Sequence, residues 1–233
     1  MLEHMKVMYC GDDEFASPYL LGALGDLEYE ARYVSPATAL PRLGDADTVV
    51  LSDYPAAMID TSAAHNLMRF VRGGGRLVML GGWTSFNGMG RNYFGHPVAT
   101  MLPVGLEAAD DRQNVPQGLL IGPGEDLDYD FDADWSRPPI ICGYNLVQSK
   151  AAADEYVIMR PLIADESSVE LGSPLPLVVA QGFGEGRVVC CMTDLAPHWC
   201  GGLLDWGDSR VSLTTGKEVG SDYLKFVDLV LSV

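Results

Sequence analysis

The segment VMLGGWTSF, residues 78–86, joins a strand-like apolar run to two glycines and a tryptophan. An unbroken apolar run of this kind is typical of a strand that is covered on both faces of a sheet. Gly81 and Gly82 allow a sharp turn directly after it. In an enzyme built on such a strand, a nucleophile is expected just past the glycines, where this chain has Trp83. The segment therefore predicts a catalytic framework without an obvious nucleophile.

Strands and helices alternate in the chain before this segment. The apolar runs, caps and glycine stops predict strand 6–10, helix 17–24, strand 29–34, strand 48–53, a helix from residue 60 or 61 to 72, and strand 76–80. This alternation favours a parallel, doubly wound sheet.

The second half of the chain reads as β-rich after a loosely patterned stretch, 81–137, that holds one short helical candidate at 97–102. Strands are predicted over 140–145, 155–160, 175–181 and 187–194, and a packing helix over 221–231. The glycine-rich segment GFGEG, residues 182–186, is typical of a hairpin turn between the last two strands. The predicted fold class is α/β, with a mostly parallel central sheet and additional antiparallel strands in the C-terminal half.

Length and charge limit the classes of protein to consider. The 233 residues fit a single domain, taken as 5–233, and residues 1–4 resemble a cloning scar ahead of a natural start at Met5. The formal net charge of -17 disfavours nucleic acids and anionic lipid surfaces as partners. Neither a membrane-spanning apolar run nor a signal peptide is recognisable, so a cytoplasmic protein is predicted. Self-association is left open.

The sequence predicts no metal site and no cofactor. There is no CxxC pair, and Cys10, Cys190 and Cys191 lie in strand-like runs that suggest small buried side chains. The acidic run DLDYDFDAD, residues 126–134, lacks the central glycine and closing glutamate of a calcium loop, so a solvated surface segment is expected. The glycines at 73–75 and 81–82 lack the pattern of a phosphate loop.

Ligands of open α/β sheets bind outside the carboxyl ends of the strands. The loops that follow the predicted strands therefore supply the candidate site, which comprises Gly11, Asp12, Asp53, Tyr54, Gly81, Gly82, Trp83, Ser85, Asp194, His198 and Trp199.

Several motifs from Val49 onward carry a family resemblance: GGGRLVMLGGWTSFNGMG, HPVATMLPV, ICGYN, QGFGEGRVVCCMTDLAPHW and DYLKFVDLV. Together they resemble the glutamine amidotransferase-like branch of the class I glutamine amidotransferase superfamily. The resemblance implies a flavodoxin-like three-layer sandwich. It also implies a nucleophilic cysteine after the central strand, activated by a His-Glu pair. Here Trp83, or at the nearest shift Gly82, takes the cysteine's position, His198 matches the histidine, and Trp199 replaces the glutamate.

Three other residues could replace the missing cysteine as nucleophile, and the sequence disfavours each of them. Cys200 is too close to His198 in sequence to face it, Cys10 belongs to a strand, and Ser85 lies two residues beyond the expected turn without a GxSxG pattern. Trp199 and Trp206 suit packing, or the floor of a pocket for a sugar or nucleobase.

Three hypotheses remain open. The first is a protein without glutaminase activity that binds a small polar molecule in the strand-end cleft; a similarity to trehalose-utilisation-type proteins makes a carbohydrate-like ligand conceivable. The second is a hydrolase or transferase that uses His198 as general base, oriented by Asp53 or Asp194. The third is a non-catalytic assembly module. His198 could equally be a loop histidine that is hydrogen-bonded to Asp194.

Overall fold

One large mixed sheet forms the framework of the molecule. The computed structural model describes residues 5–90, 92–127, 131–164 and 168–233. Its strands are β1 Lys6–Gly11, β2 Glu30–Val34, β3 Thr48–Ser52, β4 Arg76–Leu80, β5 Val104–Gly105, β6 Arg112–Pro123, β7 Ile140–Asn145, β8 Gln148–Ser149, β9 Asp154–Ala164, β10 Val169–Leu171, β11 Leu175–Phe183, β12 Gly186–Cys191, β13 Arg210–Ser212 and β14 Glu218–Gly220. Its helices are α1 Ser17–Asp26, α2 Thr61–Arg72 and α3 Ser221–Ser232. The sheet order is β2-β1-β3-β4-β12-β11-β9-β6-β7, and β10 pairs with β9.

The first five strands of this order are parallel to one another. The β1-α1-β2 and β3-α2-β4 units step outward in opposite directions, and right-handed crossovers then place α1 and α2 on opposite faces of the sheet. Helix α3 packs beside α1 and against β12. The three-layer arrangement with a parallel N-terminal half confirms the predicted fold class.

Local sequence explains the helix boundaries in this half. The carboxylate of Asp60, one of the two capping residues that the sequence offered, accepts a hydrogen bond from the Ala63 N–H at 2.7 Å and caps α2. Leu67 and Val71 are fully buried on the inner face of this helix. The helix ends at Gly73, where the predicted glycine stop lies.

The antiparallel half is larger than predicted. Strands β11 and β12 form the expected hairpin around residues 182–186, and β9, β6 and β7 follow. Strand β6 was not predicted, because Pro116 and Gly118 interrupt its apolar pattern. Its register against β7 shifts between Asn114 and Leu119, and Gly118 has φ +89°. A break of this kind lets a strand accommodate residues that regular pairing excludes. Residues 97–102 contain a short 3-10 turn over Pro97–Thr100.

The cysteines are all free thiols. Cys10, Cys190 and Cys191 are buried as predicted; Cys200 is also buried, and Cys142 is exposed. Across the part of the chain that the structure describes, no group of three or more His, Cys, Asp or Glu residues could hold a metal ion. No helix in the same ranges is long and apolar enough to cross a membrane.

Some predictions fall partly or wholly outside the described residues. Positions 128–130 of the acidic segment are among these, whereas Phe131 and Trp135 after them pack against the core, so this part of the segment is not simply solvated. The proposed scar at 1–4 also lies outside the described residues, and the single domain over 5–233 stays a prediction.

Candidate functional site

The carboxyl ends of four parallel strands meet at one edge of the sheet. In the register of these strands, Gly11 of β1 lies beside Ser52 of β3, and Leu80 of β4 lies between Ser52 and Cys191 of β12. The residues that follow these strand ends are therefore brought together. We call them the strand-end face, which consists of Asp12, Asp53, Gly81, Gly82, Trp83, Asp194 and His198.

Two of the strands end in aspartates with left-handed backbone conformations. Asp12 has φ +49° and Asp53 has φ +47°, a region that aspartate tolerates better than most residues. The Asp12 N–H donates to the Ser52 carbonyl at 2.8 Å, and the Asp53 N–H donates to Ser85 Oγ at 3.1 Å. Gly11, at φ +120°, leaves no room for a Cβ beside the Ser52 carbonyl. The backbone of both aspartates is thus held by hydrogen bonds to neighbouring turns.

The Asp12 carboxyl is almost completely buried. The Tyr9 hydroxyl donates to its Oδ2, and the Tyr33 hydroxyl donates to its backbone carbonyl at 2.8 Å. Burial raises the pKa of Asp12 to about 7, and the nearby charges of Asp53 and Asp194 act in the same direction. This carboxyl therefore changes its charge near neutral pH.

The turn after β4 is built from close backbone contacts. The Gly81 N–H donates to the Cys191 carbonyl at 2.7 Å, and Asp53 Oδ1 accepts from the Thr84 N–H at 2.6 Å. Gly82 has φ +152°, and a Cβ on it would overlap the Asp53 carboxylate, so only glycine fits. Trp83 follows with 47% of its surface exposed. An indole cannot form a covalent thioester.

No cysteine within the described ranges lies in this turn. Burial raises the pKa of Cys10 to about 12 and that of Cys200 well above its ordinary value. The Cys200 thiol donates to the Ala196 carbonyl, and Cys142 lies on β7. Neither Cys10 nor Cys200 is therefore a thiolate at neutral pH.

His198 forms an ion pair with Asp194, with Nδ1 at 3.4 Å from Oδ2. The Asp194 carboxylate is buried and accepts hydrogen bonds from the backbone N–H groups of Trp199 and Cys200. The hydrogen bond to Asp194 raises the pKa of His198 to about 9, and the charge of Asp53 adds to this effect. The imidazole side chain is 44% exposed. At neutral pH this end of the site presents a cation to solvent.

Three predicted site residues have buried side chains that support the site from behind. Tyr54 is fully buried, and its hydroxyl donates to the Thr38 carbonyl. Ser85 is 1% exposed, and its hydroxyl oxygen accepts a hydrogen bond from the Asp53 N–H. Trp199 is 3% exposed, and its Nε1 donates to Asn114 Oδ1 at 2.9 Å. Their side chains do not line the strand-end face.

The sequence reasoning missed the polar network behind the glycine turn. Asn145, fully buried at the end of β7, accepts from the Gly82 N–H at 2.9 Å and donates to the Gly82 carbonyl at 3.2 Å and to Asp111 Oδ1 at 2.7 Å. Asp111 Oδ2 accepts from the Asn87 N–H at 2.7 Å. A polar residue at the end of the apolar ICGYN run was the available signal. Arg112, whose guanidinium lies over the Trp83 ring at 4.7 Å, had no such signal.

Comparison with solved structures places the fold among known proteins. A cytoplasmic protein from Salmonella typhimurium is similar with a TM-score of 0.76 and 20% identity, over 98% of this chain and 99% of that one. A second cytoplasmic protein, from Salmonella typhimurium LT2, has a TM-score of 0.70 and 24% identity, over 84% and 90% of the two chains. A "putative thua-like protein" from Parabacteroides merdae ATCC 43184 has a TM-score of 0.55 and 13% identity, over 82% and 79%. These likenesses show the fold alone.

No curated protein sequence matches the chain. A family model described as "Putative glutamine amidotransferase" matches residues 14–211, which is most of the chain. Together with the α/β fold and the turn after β4, this match shows that the chain belongs to the glutamine amidotransferase-like family.

Proposed function

We propose that this chain is a family member without glutaminase activity that binds a small polar molecule on the strand-end face. The observation that carries the proposal is the half-exposed indole of Trp83 in the turn where a nucleophilic thiol is expected. A cytoplasmic location, the one given for the two Salmonella proteins, is part of the proposal.

Attack on an amide requires an exposed thiolate that a neighbouring histidine keeps deprotonated. Cys10 and Cys200 are buried with raised pKa values. Exposed Cys142 lies on β7, and its N–H donates to the Trp199 carbonyl at 2.7 Å rather than being part of the glycine turn. These placements support the absence of glutamine hydrolysis.

The remaining groups suit recognition of a polar molecule. The His198 imidazolium can donate hydrogen bonds to a ligand, and the Asp53 carboxylate can accept them. Asp12 is buried beside them, and its charge, with a pKa of about 7, changes near neutral pH. These groups are held in place by buried contacts, so the face is preorganised for binding.

The first test is an assay of ammonia release from glutamine by the purified chain. We expect no release above the buffer rate. Release that disappears in one of five variants, Cys10→Ser, Cys142→Ser, Cys190→Ser, Cys191→Ser or Cys200→Ser, would refute the proposal by identifying a working nucleophile.

The second test is a thermal-shift screen against sugars, nucleosides and amino acids, repeated on His198→Ala. We expect at least one stabilising compound whose effect is lost in this variant. His65→Ala is the matched control, because His65 lies exposed on α2. A compound that stabilises all three proteins equally binds elsewhere and argues against the strand-end face.

A hydrolase or transferase with His198 as general base is the second candidate. The close carboxylate of Asp194 and the 44% exposure of the imidazole favour it. A histidine whose pKa is about 9 is protonated at neutral pH, however, and cannot then accept a proton. This candidate predicts a hydrolysis rate that rises with pH up to about 9 and is abolished in His198→Ala. A rate that is flat with pH would exclude it.

An assembly role is the third candidate, and the antiparallel β9–β10 pair favours it. Val169 and Leu171 of β10 are 67% and 51% exposed, and Ile163 of β9 is 57% exposed. Exposed apolar side chains on an edge strand are a common site of self-association. Light scattering that shows a monomer at high concentration would exclude a self-assembly role.

A further inference from the structure

Trp83 is the most exposed of the four tryptophans of the chain. It is 47% exposed, whereas Trp199 and Trp206 are 3% and 4% exposed and Trp135 packs against Trp206 at a ring distance of 4.9 Å. The backbone before it is held in place, because the Gly82 N–H donates to the buried Asn145 Oδ1 at 2.9 Å. A large aromatic surface is thus held toward solvent at the strand ends.

Arg112 covers one face of this indole. Its guanidinium carbon lies 4.7 Å from the ring centroid, and Asp110 holds the guanidinium through Nε–Oδ1 and Nη2–Oδ2 bonds of 3.0 and 2.7 Å. A cation above an indole is attracted to its π-face. The pair forms a stack, and 47% of the Trp83 surface still faces solvent.

The charges around the stack are of both signs. The Asp53 carboxylate interacts electrostatically with the His198 imidazolium and with the Arg112 guanidinium. A second cation on the indole would be repelled by Arg112, and an anion would be repelled by Asp53. Hydroxyl groups both donate and accept hydrogen bonds and carry no charge. A hydroxyl group can therefore donate to the Asp53 carboxylate or accept from the His198 and Arg112 cations.

We propose that Trp83 is the specificity-determining residue of this site and that the ligand is a neutral polyhydroxylated ring, such as a sugar or cyclic polyol, stacked on the indole opposite Arg112. The inference rests on the proposed binding function of the strand-end face. The apolar face of the ring covers the indole, and a hydroxyl at its edge donates to Asp53. Small-molecule binding sites commonly combine aromatic side chains with a few convergent polar groups.

The experiment compares binding by the full chain and by three variants: Trp83→Ala, Trp83→Phe and the control Trp135→Phe. The probes are neutral monosaccharides and cyclic polyols at millimolar concentration, with the matching amino sugars and uronic acids. Binding is read from the shift in Tm and from the change in tryptophan fluorescence. Circular dichroism of the unliganded variants confirms that each is folded.

We expect a neutral ring to bind the wild type and Trp135→Phe equally and to alter their fluorescence. Binding should be about tenfold weaker in Trp83→Ala and largely retained in Trp83→Phe. A charged ligand that binds better than every neutral ring would overturn the inference. So would a neutral ring that binds Trp83→Ala unchanged, or a panel in which no neutral ring binds.

The same panels test the proposed binding function independently of the role of Trp83. It survives if a nucleoside or amino acid binds and the effect is lost in His198→Ala, even when Trp83→Ala behaves like the wild type. It fails if no compound of either panel depends on His198.

Discussion

The two halves of the sheet contribute differently to the candidate site. The parallel half, β1 to β4 with β12, ends in the groups that can meet a ligand: Asp53, Trp83 and His198. The antiparallel half contributes buried or stacked residues that hold those groups, above all Asn145 of β7 and Arg112 of β6. Ligand binding at this site therefore depends on two regions that contribute in different ways. One half supplies exposed polar groups at strand ends, and the other supplies fully satisfied polar contacts behind them.

We expect the largest effect from Gly82→Ala, which disrupts the turn after β4 where the two halves meet. The added Cβ would overlap the Asp53 carboxylate, and alanine is strained at φ +152°. We expect a loss of about 4 kcal/mol in the free energy of unfolding, or no folded protein at all. Urea denaturation followed by circular dichroism measures it.

The matched control for that variant is Gly182→Ala on β11. No heavy atom lies within 4 Å of a Cβ built on Gly182, so we expect a change within about 0.5 kcal/mol. Equal stability of the two variants would show that Gly82 and Asp53 are not in close contact.

Asn145→Ala tests the supporting half. The substitution leaves the N–H and carbonyl of Gly82 and the buried Asp111 without their amide partner. We expect a loss of about 3 kcal/mol in the free energy of unfolding, because unsatisfied buried polar groups are destabilising. Asn66→Ala, on the exposed side of α2, should change stability by less than about 0.5 kcal/mol. A mild effect at Asn145 would mean that the turn stands without the antiparallel half.

The pH dependence of stability sharpens the description of the parallel half. The pKa of Asp12 is raised from 3.8 to about 7 by burial, so the folded chain binds more protons than the unfolded chain between these values. Stability from this group is complete below about pH 4 and is lost as the pH rises through 7. We expect a decrease on the order of 2 kcal/mol, measured by urea denaturation across this window, and a flatter profile in Asp12→Asn.

His198 acts in the same direction at higher pH. Its pKa is raised from 6.5 to about 9, so the stability it adds is complete below 6.5 and is lost as the pH rises through 9. The effect is smaller than that of Asp12, because solvent screens a half-exposed ion pair. Asp194→Asn should lower the pKa of His198, as followed by NMR titration of the imidazole. An unchanged pKa in that variant would contradict the ion pair.

Much of the parallel half could be predicted from sequence. The apolar runs of β1, β3 and β4 have no alternation and are bounded by turn residues, so the ends of these strands were predicted to within one residue. The direction of the side chains in the turns could not be read in this way. The left-handed backbone at Asp53 precedes the buried Tyr54, and no sequence period reports such a conformation.

The antiparallel half was harder for a different reason. The contact of Asn145 with Gly82 joins residues 63 positions apart, and it depends on where β7 and β12 end relative to β4. Pro116 and Gly118 interrupt the apolar pattern of β6, so the sequence did not indicate a strand there. The placement of Arg112 over Trp83 therefore could not be predicted. Long-range register decides these contacts, and local pattern does not encode it.

The position of β12 has a consequence for biosynthesis. This strand lies between β4 and β11, yet it is made about a hundred residues after β4. Until the ribosome has delivered it, the apolar edge of β4 has no neighbour on that side, and such edges invite aggregation in nascent chains. Translation that stops before residue 186 should therefore leave an insoluble fragment, and the growing chain should need chaperone protection until β12 emerges.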